Sequence, residues 1–180
     1  PTRRSSDLSC NIFYYTTGFK LAQKKNGTYD DATGISYLQK YASIYGLNEK
    51  TGLEIVENTP KIATKYPVMA AIGQSDNNFT TVSLSRYVTA VTSGKLYNYQ
   101  LMSKIVDHNG KTVKKYKSNY KDISDTLSND KWDAIHKGMR MVCENLDSFD
   151  GTKLEVAGKT GTAQQDERPN HALFVGYVPY

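Results

Sequence analysis

Apolar side chains recur at helical spacing in four stretches of the 180-residue chain. Intervals of three and four residues place such side chains on one face of a helix. The four faces consist of Ile12, Tyr15, Phe19 and Ala22; Ile35, Leu38, Ala42 and Tyr45; Leu84, Tyr87, Val88 and Val91; and Trp132, Ile135, Met139, Val142 and Leu146. Gly46 and Gly94 are expected to end the second and third helices, and Ser128 to cap the fourth, over 128–146.

Three further stretches have the character of strands. Residues 104–115, "KIVDHNGKTVKK", place Asn109 and Gly110 between two short runs of β type, which predicts a hairpin. Residues 152–164 and 171–180 are separated by the turn-rich segment 165–170, which predicts an antiparallel pair. Helices followed by a hairpin, a helix and then strands favour an α+β fold with a helical part and an antiparallel sheet over a parallel βαβ sheet.

Composition narrows the class of protein. Hydrophobic residues make up 38% of the chain and charged residues 23%, which is ordinary for a globular domain, and no apolar run approaches the ~20 residues of a membrane span. A chain of this length forms one domain or part of one. The two cysteines, Cys10 and Cys143, lie far apart and match no metal or redox spacing, so both are expected to be unpaired.

The formal net charge of +5 raises the possibility of nucleic-acid binding. Five lysines, in 111–121, alternate with Tyr116 and Tyr120. Lysines on an exposed hairpin are more often solvated side chains that discourage edge pairing, so nucleic acid is not the expected partner. Positive charge also attracts other polyanions, including an anionic cell wall.

The two ends of the chain have an unusual character. Residues 1–8, "PTRRSSDL", match one reading frame of a common sequencing adapter and are expected to be an artefact. The last residues, "FVGYVPY", stop within a strand-like run without a turn or a polar tail. We therefore expect residues 9–180 to be an internal fragment of a longer open reading frame.

A Gly-Lys-Thr sequence occurs twice, at 158–160 and at 110–112, and invites comparison with a phosphate-binding loop. That motif needs a glycine five residues before the Gly-Lys-Thr, where this chain has Lys153 and Ile105. No helix is predicted to open directly after Lys159, as phosphate binding by backbone N–H groups requires. Nucleotide binding is therefore not favoured.

Lys-Thr-Gly also occurs twice, at 159–161 and at 50–52, and this triplet serves acyl transfer in penicillin-recognising serine enzymes. An exposed edge strand can bind a peptide as a further strand, and glycine lets the backbone of that peptide approach. Lysine supplies positive charge near the reacting groups, while threonine hydroxyls hydrogen-bond a carboxylate. Three letters alone do not decide which triplet, if either, has this role.

The order of several segments decides between the two triplets. "SCNIFYY" at 9–15, "GLNEKTGLEI" at 46–55, "AIGQSDNNFTTVSLSRYVTAVTSGK" at 71–95 and "VAGKTGTAQ" with "HALFVGYVPY" at the end follow one another along the chain. In this order they resemble the transpeptidase domain of class B penicillin-binding proteins, across about residues 9–180. The resemblance implies that Lys159-Thr160-Gly161-Thr162 is the active-site strand and that Lys50-Thr51-Gly52 belongs to a loop remote from the chemistry.

The resemblance also implies a role for each site residue. Ser9 would act in the proton relay between nucleophile and leaving group, Asn11 would hydrogen-bond the donor peptide, and Lys159 would support the relay electrostatically. Thr160 and Thr162 would bind the terminal carboxylate of a D-Ala-D-Ala stem peptide or of a β-lactam, and Gly161 lies between them. The Thr162 N–H would form half of an oxyanion hole. The alternative for Ser9 and Asn11 is that they only cap the first helix.

Two features depart from the family pattern. The nucleophilic serine and its base lysine belong upstream of Ser9, and the S-x-x-K match at 118–121 falls between the other two motifs and is expected to be a chance match. The isolated fragment is therefore expected to be inactive. Ser75 stands where the family has a glycine, which leaves the conformation and the role of its loop open.

The resemblance implies a peptidoglycan D,D-transpeptidase that forms a serine acyl-enzyme and binds β-lactams, without cofactor or metal. Its expected partners are the stem peptide and a glycosyltransferase. Its expected location is the extracytoplasmic face of the bacterial membrane, with an N-terminal anchor. A non-catalytic sensor of β-lactams or peptidoglycan fragments on the same fold is the alternative. The stem-peptide chemistry, and service in elongation or in division, stay open.

Overall fold

The computed structural model describes residues 9–164, 167 and 169–180. In this part of the chain, four α-helices are followed by four short strands, a fifth α-helix and a last antiparallel strand pair, an order that agrees with the predicted α+β fold. The helices are α1 (Asn11–Leu21), α2 (Asp31–Ile44), α3 (Pro67–Ala70), α4 (Thr81–Ser93) and α5 (Asn129–Glu144). The strands are β1 (Lys95–Asn98), β2 (Lys104–Val106), β3 (Thr112–Lys115), β4 (Asn119–Asp122), β5 (Ala157–Ala163) and β6 (His171–Tyr177).

Helix α4 lies at the centre of the packing. It buries Val88 and Val91 on the predicted face, and it also buries Ser83, Arg86 and Ala90 on other sides. Thr80 caps its first turn by accepting a hydrogen bond from the Ser83 N–H, and Gly94 ends it in the left-handed conformation. A helix that is buried on more than one side provides a rigid support for the strands around it.

The predicted buried face of α1 is confirmed only in part: Ala22, at the end of the helix, is fully buried and Tyr15 is half-buried, but the other two residues are exposed. Ile12 and Phe19 are 77% and 46% exposed, and Gly18 is the buried residue of the helix. A Cβ atom at position 18 would lie 2.8 Å from the Pro67 carbonyl oxygen, so the absence of a side chain lets α1 approach α3 at backbone distance. Close backbone contact thus determines how this helix packs.

The described strands form three antiparallel pairs, β1 with β4, β2 with β3, and β5 with β6. The predicted hairpin is confirmed, with Gly110 at φ 81° in its turn. The pairing of β5 with β6 is also confirmed, in an uninterrupted register from Ala157 opposite Tyr177 to Ala163 opposite His171. The first of these strands begins at Ala157, however, and not at 152 as predicted. Of the predicted turn 165–170, residues 165, 166 and 168 lie outside the described part.

Helix α5 supports the start of β5. Arg140 Nη1 donates a hydrogen bond to the Val156 carbonyl oxygen at 2.8 Å, directly before the strand begins. Ser128 occupies the predicted N-cap position, but its side chain makes no capping hydrogen bond; the Lys131 N–H instead donates to its carbonyl oxygen. Cys143, buried on this helix, and Cys10 are both free thiols, as predicted. The contact at Val156 fixes the position at which the Lys-Thr-Gly strand leaves the core.

Candidate active site

The start of α1 has an unusual backbone conformation. Ser9 has φ 50°, in the left-handed region that disfavours residues other than glycine, and its side chain is exposed. The N-cap residue is Cys10, and no side chain caps the helix. The capping alternative is therefore not what the structure shows for Ser9. Strained conformations of this kind are found most often at functional sites, where the surrounding structure maintains them.

Ser9 lies in contact with the distant Lys-Thr-Gly strand. Lys159 Nζ donates a hydrogen bond to Ser9 Oγ, and it also donates to the Thr160 carbonyl oxygen at 3.1 Å. An ammonium group can only donate, so the hydroxyl oxygen of Ser9 accepts and its own proton remains available for another acceptor. Two residues that are 150 positions apart in the chain thus form a linked pair of polar groups.

One edge of β5 faces a cleft of about 800 Å³. Its walls come from the start of α1, the loop after α3, the middle of α4 and β5. The lining residues are Ser9, Asn11, Tyr14, Tyr15, Ala71, Ile72, Gly73, Gln74, Tyr87, Lys159, Thr160, Gly161, Thr162 and Gln164. Four consecutive residues of β5 line the cleft, although successive side chains of a strand point to opposite faces. The strand therefore meets the cleft edge-on, which explains how both faces serve one site.

The electrostatics of the cleft favour an anion. Among its described lining residues, Lys159 is the single charged side chain. Burial raises the pKa of Tyr14 and of Tyr87, and the neighbouring Cys10 and Tyr45 raise these two pKa values further. Both phenols are therefore neutral at ordinary pH. A carboxylate that enters this cleft meets one positive charge and the hydroxyl groups of Thr160 and Thr162, which are both exposed.

The two glycines of the strand have different surroundings. A Cβ atom at Gly158 would lie 2.4 Å from Phe174 Cζ and 2.6 Å from the Val175 carbonyl oxygen, so the fold itself requires glycine there. A Cβ atom at Gly161 would meet only Leu173 Cβ, at an ordinary 3.8 Å. The missing side chain at Gly161 leaves space on the cleft side, as close approach by a ligand backbone needs.

The loop after α3 forms the opposite wall of the cleft, which was not predicted from the sequence. Gln74 Nε2 lies 3.5 Å from the Thr162 carbonyl oxygen. Ser75, the residue at the family's glycine position, has φ 70°, and its hydroxyl group donates to the Lys65 carbonyl oxygen at 2.7 Å. The serine therefore retains the left-handed conformation that a glycine would adopt. Its loop contributes Gln74 to the cleft.

A second network fixes this loop. Asp76 pairs with Lys61 Nζ at 2.8 Å and accepts hydrogen bonds from the Thr64 N–H at 2.9 Å and the Thr64 hydroxyl at 2.6 Å. The hydrogen bond from Lys61 lowers the pKa of Asp76 most, and the hydrogen bonds from Thr64 lower it further. Together they hold this pKa well below its ordinary range. Asn77 Nδ2 donates to the Gln74 carbonyl oxygen at 2.9 Å. These contacts hold the backbone on both sides of Gln74.

The other Lys-Thr-Gly triplet has a structural role. Thr51 is 1% exposed, and its hydroxyl group donates to a Glu57 carboxylate oxygen at 2.6 Å. The N–H groups of Thr51, Gly52 and Leu53 donate to the same carboxylate. Desolvation tends to raise the pKa of Glu57, but together these four hydrogen bonds outweigh it and lower the pKa. The triplet at 50–52 is thus part of a loop held by one carboxylate, and it does not line the cleft.

The S-x-x-K sequence at 118–121 does not line the cleft either. Asn119, Tyr120 and Lys121 lie in β4, and Ser118 directly precedes this strand. Residues three apart share a face on a helix but point to opposite faces of a strand. Ser118 and Lys121 are therefore poorly arranged as nucleophile and base.

The family's sequence model, described as "Penicillin binding protein transpeptidase domain", matches residues 2–180. The chain belongs to this family. The match includes most of residues 1–8, whose assignment as an adapter artefact stays a prediction and concerns residues outside the described part.

Solved structures have the same transpeptidase fold. Penicillin-binding protein A from M. tuberculosis, solved as an imipenem acyl-enzyme complex, superposes with a TM-score of 0.78 at 18% identity, and the match covers 98% of this chain and 38% of that one. The complex of penicillin-binding protein PBP2 with MreC from Helicobacter pylori gives 0.73 at 23% identity, covering 99% and 33%. A D,D-transpeptidase domain from Eggerthella lenta gives 0.73 at 16%, covering 98% and 45%.

This transpeptidase-family chain therefore spans less than half the length of these proteins. No curated protein matches it significantly. Every helix in the described part is too short or too polar to cross a membrane. The described residues also contain no group of three or more His, Cys, Asp or Glu side chains suited to a metal ion.

Proposed function

We propose that this chain is part of a peptidoglycan D,D-transpeptidase, which cross-links stem peptides through a serine acyl-enzyme and is acylated by β-lactams at the same site. The observation that carries the proposal is the hydrogen bond from Lys159 to Ser9 beside the open edge of β5. A peptide that ends in D-Ala-D-Ala would add to this edge as a further strand.

The positions of these groups in the cleft support the roles that we propose for them. Thr160 and Thr162 offer hydroxyl groups to the terminal carboxylate, while the Thr162 N–H faces the developing oxyanion. Lys159 holds the Ser9 hydroxyl group as an acceptor, so that Ser9 can donate its own proton toward the leaving amine. Asn11, at the start of α1, lines the cleft and would hydrogen-bond the donor peptide.

Covalent catalysis also needs a hydroxyl group activated by an adjacent base. Ser118 is poorly placed for this because it lies next to a strand and outside the cleft. We assign the nucleophile and its base lysine to a part of the protein outside these 180 residues. The nucleophile would pass its proton to the base and attack the carbonyl carbon between the two D-Ala residues, and the terminal D-Ala would leave with that proton. An acceptor amine would then attack the carbonyl carbon of the acyl-enzyme, so that the cross-link amide forms, the serine ester bond breaks and the serine regains a proton from the amine.

The same proposal covers the setting of the full-length protein. Its substrate is found outside the cytoplasm, so we place the domain at the outer face of the bacterial membrane with an N-terminal anchor. A glycosyltransferase would supply the glycan strands whose stem peptides are cross-linked.

The test compares the two Lys-Thr-Gly triplets in the full-length protein. Lys159→Ala removes the ammonium group from Ser9 and should slow acylation by a fluorescent penicillin by about a hundredfold or more. Lys50→Ala is the matched control, because Lys50 contributes its backbone carbonyl oxygen, and not its exposed side chain, to the contact with Arg86. This variant should be acylated at nearly the wild-type rate.

Three results would contradict the proposal in different ways. Equal loss in both variants would show that the wrong triplet was chosen. Labelling at Ser118 would identify a different nucleophile. A wild-type protein that is acylated but never cross-links stem peptides would be the sensor of the alternative hypothesis.

A further inference from the structure

The net charge of the chain is concentrated in one exposed segment, residues 103–121, which we call the basic ribbon. It comprises strands β2 and β3, their turn, and most of β4. It contains six lysines and one aspartate, so its charge of +5 equals that of the whole chain. The other 161 residues carry 17 basic and 17 acidic side chains and are formally neutral.

The lysines of the basic ribbon lack close ion-pair partners within the described residues, although Asp122 follows the ribbon in β4. The one carboxylate of the basic ribbon, that of Asp107, accepts hydrogen bonds from the N–H groups of Asn109 and Lys111 and thus shapes the turn. Lys104 lies directly opposite Lys115 in the ladder, where like charges are destabilising. An external anion would relieve this repulsion.

Apolar side chains are exposed between these lysines. Ile105, Val106 and Val113 are 42%, 45% and 68% exposed. All residues of the basic ribbon except Asp107 and Tyr116 are exposed, so both faces of the hairpin are open. A purely solvated hairpin would gain nothing from these aliphatic groups. Their presence favours a partner that offers an apolar phase as well as negative charge.

The tyrosines argue against a nucleic acid. Stacking of bases needs open ring faces. Lys114 Nζ lies 4.6 Å from the centroid of the Tyr116 ring, and Lys95 Nζ lies 4.7 Å from that of the Tyr120 ring. Tyr120 also packs against Tyr97, with ring centroids 5.2 Å apart. Both rings are thus engaged within the protein.

We propose that the basic ribbon docks on the surface of a membrane that contains anionic phospholipid. Its lysines would lie among the headgroup phosphates, and Ile105, Val106 and Val113 would enter the boundary between headgroups and acyl chains. Basic residues near an anionic leaflet and aliphatic side chains at this depth both stabilise such binding. The proposal does not depend on the cleft or on acyl transfer.

The test is hydrogen exchange of the full-length protein reconstituted in vesicles. One preparation contains phosphatidylcholine alone, and the other contains an equimolar mixture with phosphatidylglycerol. A single lysine near an anionic leaflet strengthens binding by about fivefold, so several together should slow exchange in 103–121 by about tenfold or more in the mixed vesicles. High salt screens the lysines and should therefore remove their contribution to the protection from exchange.

Two sets of charge variants separate local from overall electrostatics. Both replace four lysines by glutamine and lower the net charge of the chain from +5 to +1. The ribbon set should lose the protection, whereas the control set should retain it. The ribbon set consists of Lys104, Lys111, Lys114 and Lys115, and the control set of Lys25, Lys40, Lys131 and Lys153.

The contribution of the apolar side chains to membrane binding is tested with Val106→Thr and Val113→Thr, which retain the β-branched shape and the charge. Weaker protection in the mixed vesicles supports insertion of the aliphatic groups.

Equal protection of the ribbon by soluble polyphosphate or by a DNA oligonucleotide would overturn the proposal in favour of a hydrated polyanion. Unchanged exchange in all preparations would overturn it as well. Acylation by a fluorescent penicillin, measured on the same samples, tests the proposed function separately.

Discussion

At the scale of single residues, the two glycines of β5 can be separated by experiment. Gly158→Ala should lower the free energy of unfolding by about 1–3 kcal/mol, because the added methyl group has no room beside Phe174 and the Val175 carbonyl oxygen. Gly161→Ala should leave the free energy of unfolding nearly unchanged but slow acylation, because its methyl group extends toward the ligand. Urea unfolding and penicillin labelling of the full-length protein measure the two effects.

The reverse outcome would contradict this assignment. If Gly161→Ala unfolds readily and Gly158→Ala does not, the fold and not the ligand requires the second glycine. If both variants bind penicillin at the wild-type rate, a ligand does not approach the strand as closely as proposed.

Gln74 provides a second prediction at this scale. Gln74→Glu introduces a negative charge into a cleft whose single described charge is Lys159. The carboxylate should repel the carboxylate of an incoming penicillin and slow acylation by about tenfold, the equivalent of about 1.4 kcal/mol. Gln100→Glu makes the same change of charge at an exposed position that does not line the cleft. Equal rates in the two variants would show that Gln74 does not face the bound ligand.

The site residues differ in how far the sequence could predict them. Ser9 and Lys159 could be paired because each belongs to a short motif whose order along the chain is informative. Gln74 could not, because one glutamine in a loop follows no periodic pattern, and its place depends on the left-handed conformation of Ser75 and on the contacts of Asp76. The burial of Ala22 at the end of α1 could be predicted, but the close contact at Gly18 could not, since Gly18 packs by having no side chain.

At the scale of elements, the cleft depends on the loop that follows α3. Its pairing with residues 61–65 includes a backbone bridge between Lys61 and Asn78 and the contacts of the Asp76 carboxylate, whose pKa is lowered by Lys61 and Thr64. A lowered pKa in the folded state means that this contribution is fully present above the ordinary aspartate pKa of about 3.9 and is lost as the pH falls toward the folded value. Asp76→Asn should therefore melt at a lower temperature than wild type at neutral pH, and the difference should shrink below about pH 3.9.

Asp133→Asn is the matched control, because Asp133 is exposed on α5. It should melt like wild type at neutral pH. A difference between Asp76→Asn and wild type that persists unchanged into strong acid would show that the substitution acts through packing and not through the charge.

Elements with a long repeat were predictable, and short ones were predictable only where a turn motif marks them, as Asn109-Gly110 marks the β2–β3 hairpin. The four predicted helices and the β5–β6 pair are present, because eleven or more residues of helix, or seven of strand, carry a recognisable pattern. Strands β1 and β4 contain four residues each, and β4 is exposed throughout, so no alternation marks them. Helix α3 contains four residues and was missed for the same reason.

At the scale of the whole molecule, contacts distant in sequence create the site. Lys159 and Ser9 meet across 150 residues, and Gln74 and Thr162 across 88. Such contacts form only when the helices, the loop after α3 and the last strand pair are assembled together. The site is therefore a property of the assembled domain, and acylation reports on its complete folding.

The 180 residues expressed alone should aggregate or remain partly folded. Within the described part, β5 and β6 form a sheet of only two strands, and pairs of strands are marginally stable without further packing. Phe174 and Leu154 are 45% and 60% exposed, and an apolar cavity of about 440 Å³ opens between α4 and β6. Open strand edges beside exposed apolar groups promote association between copies. Light scattering that rises with concentration, together with binding of a hydrophobic dye, would agree with this expectation, whereas a soluble monomer with a sharp cooperative melt would contradict it.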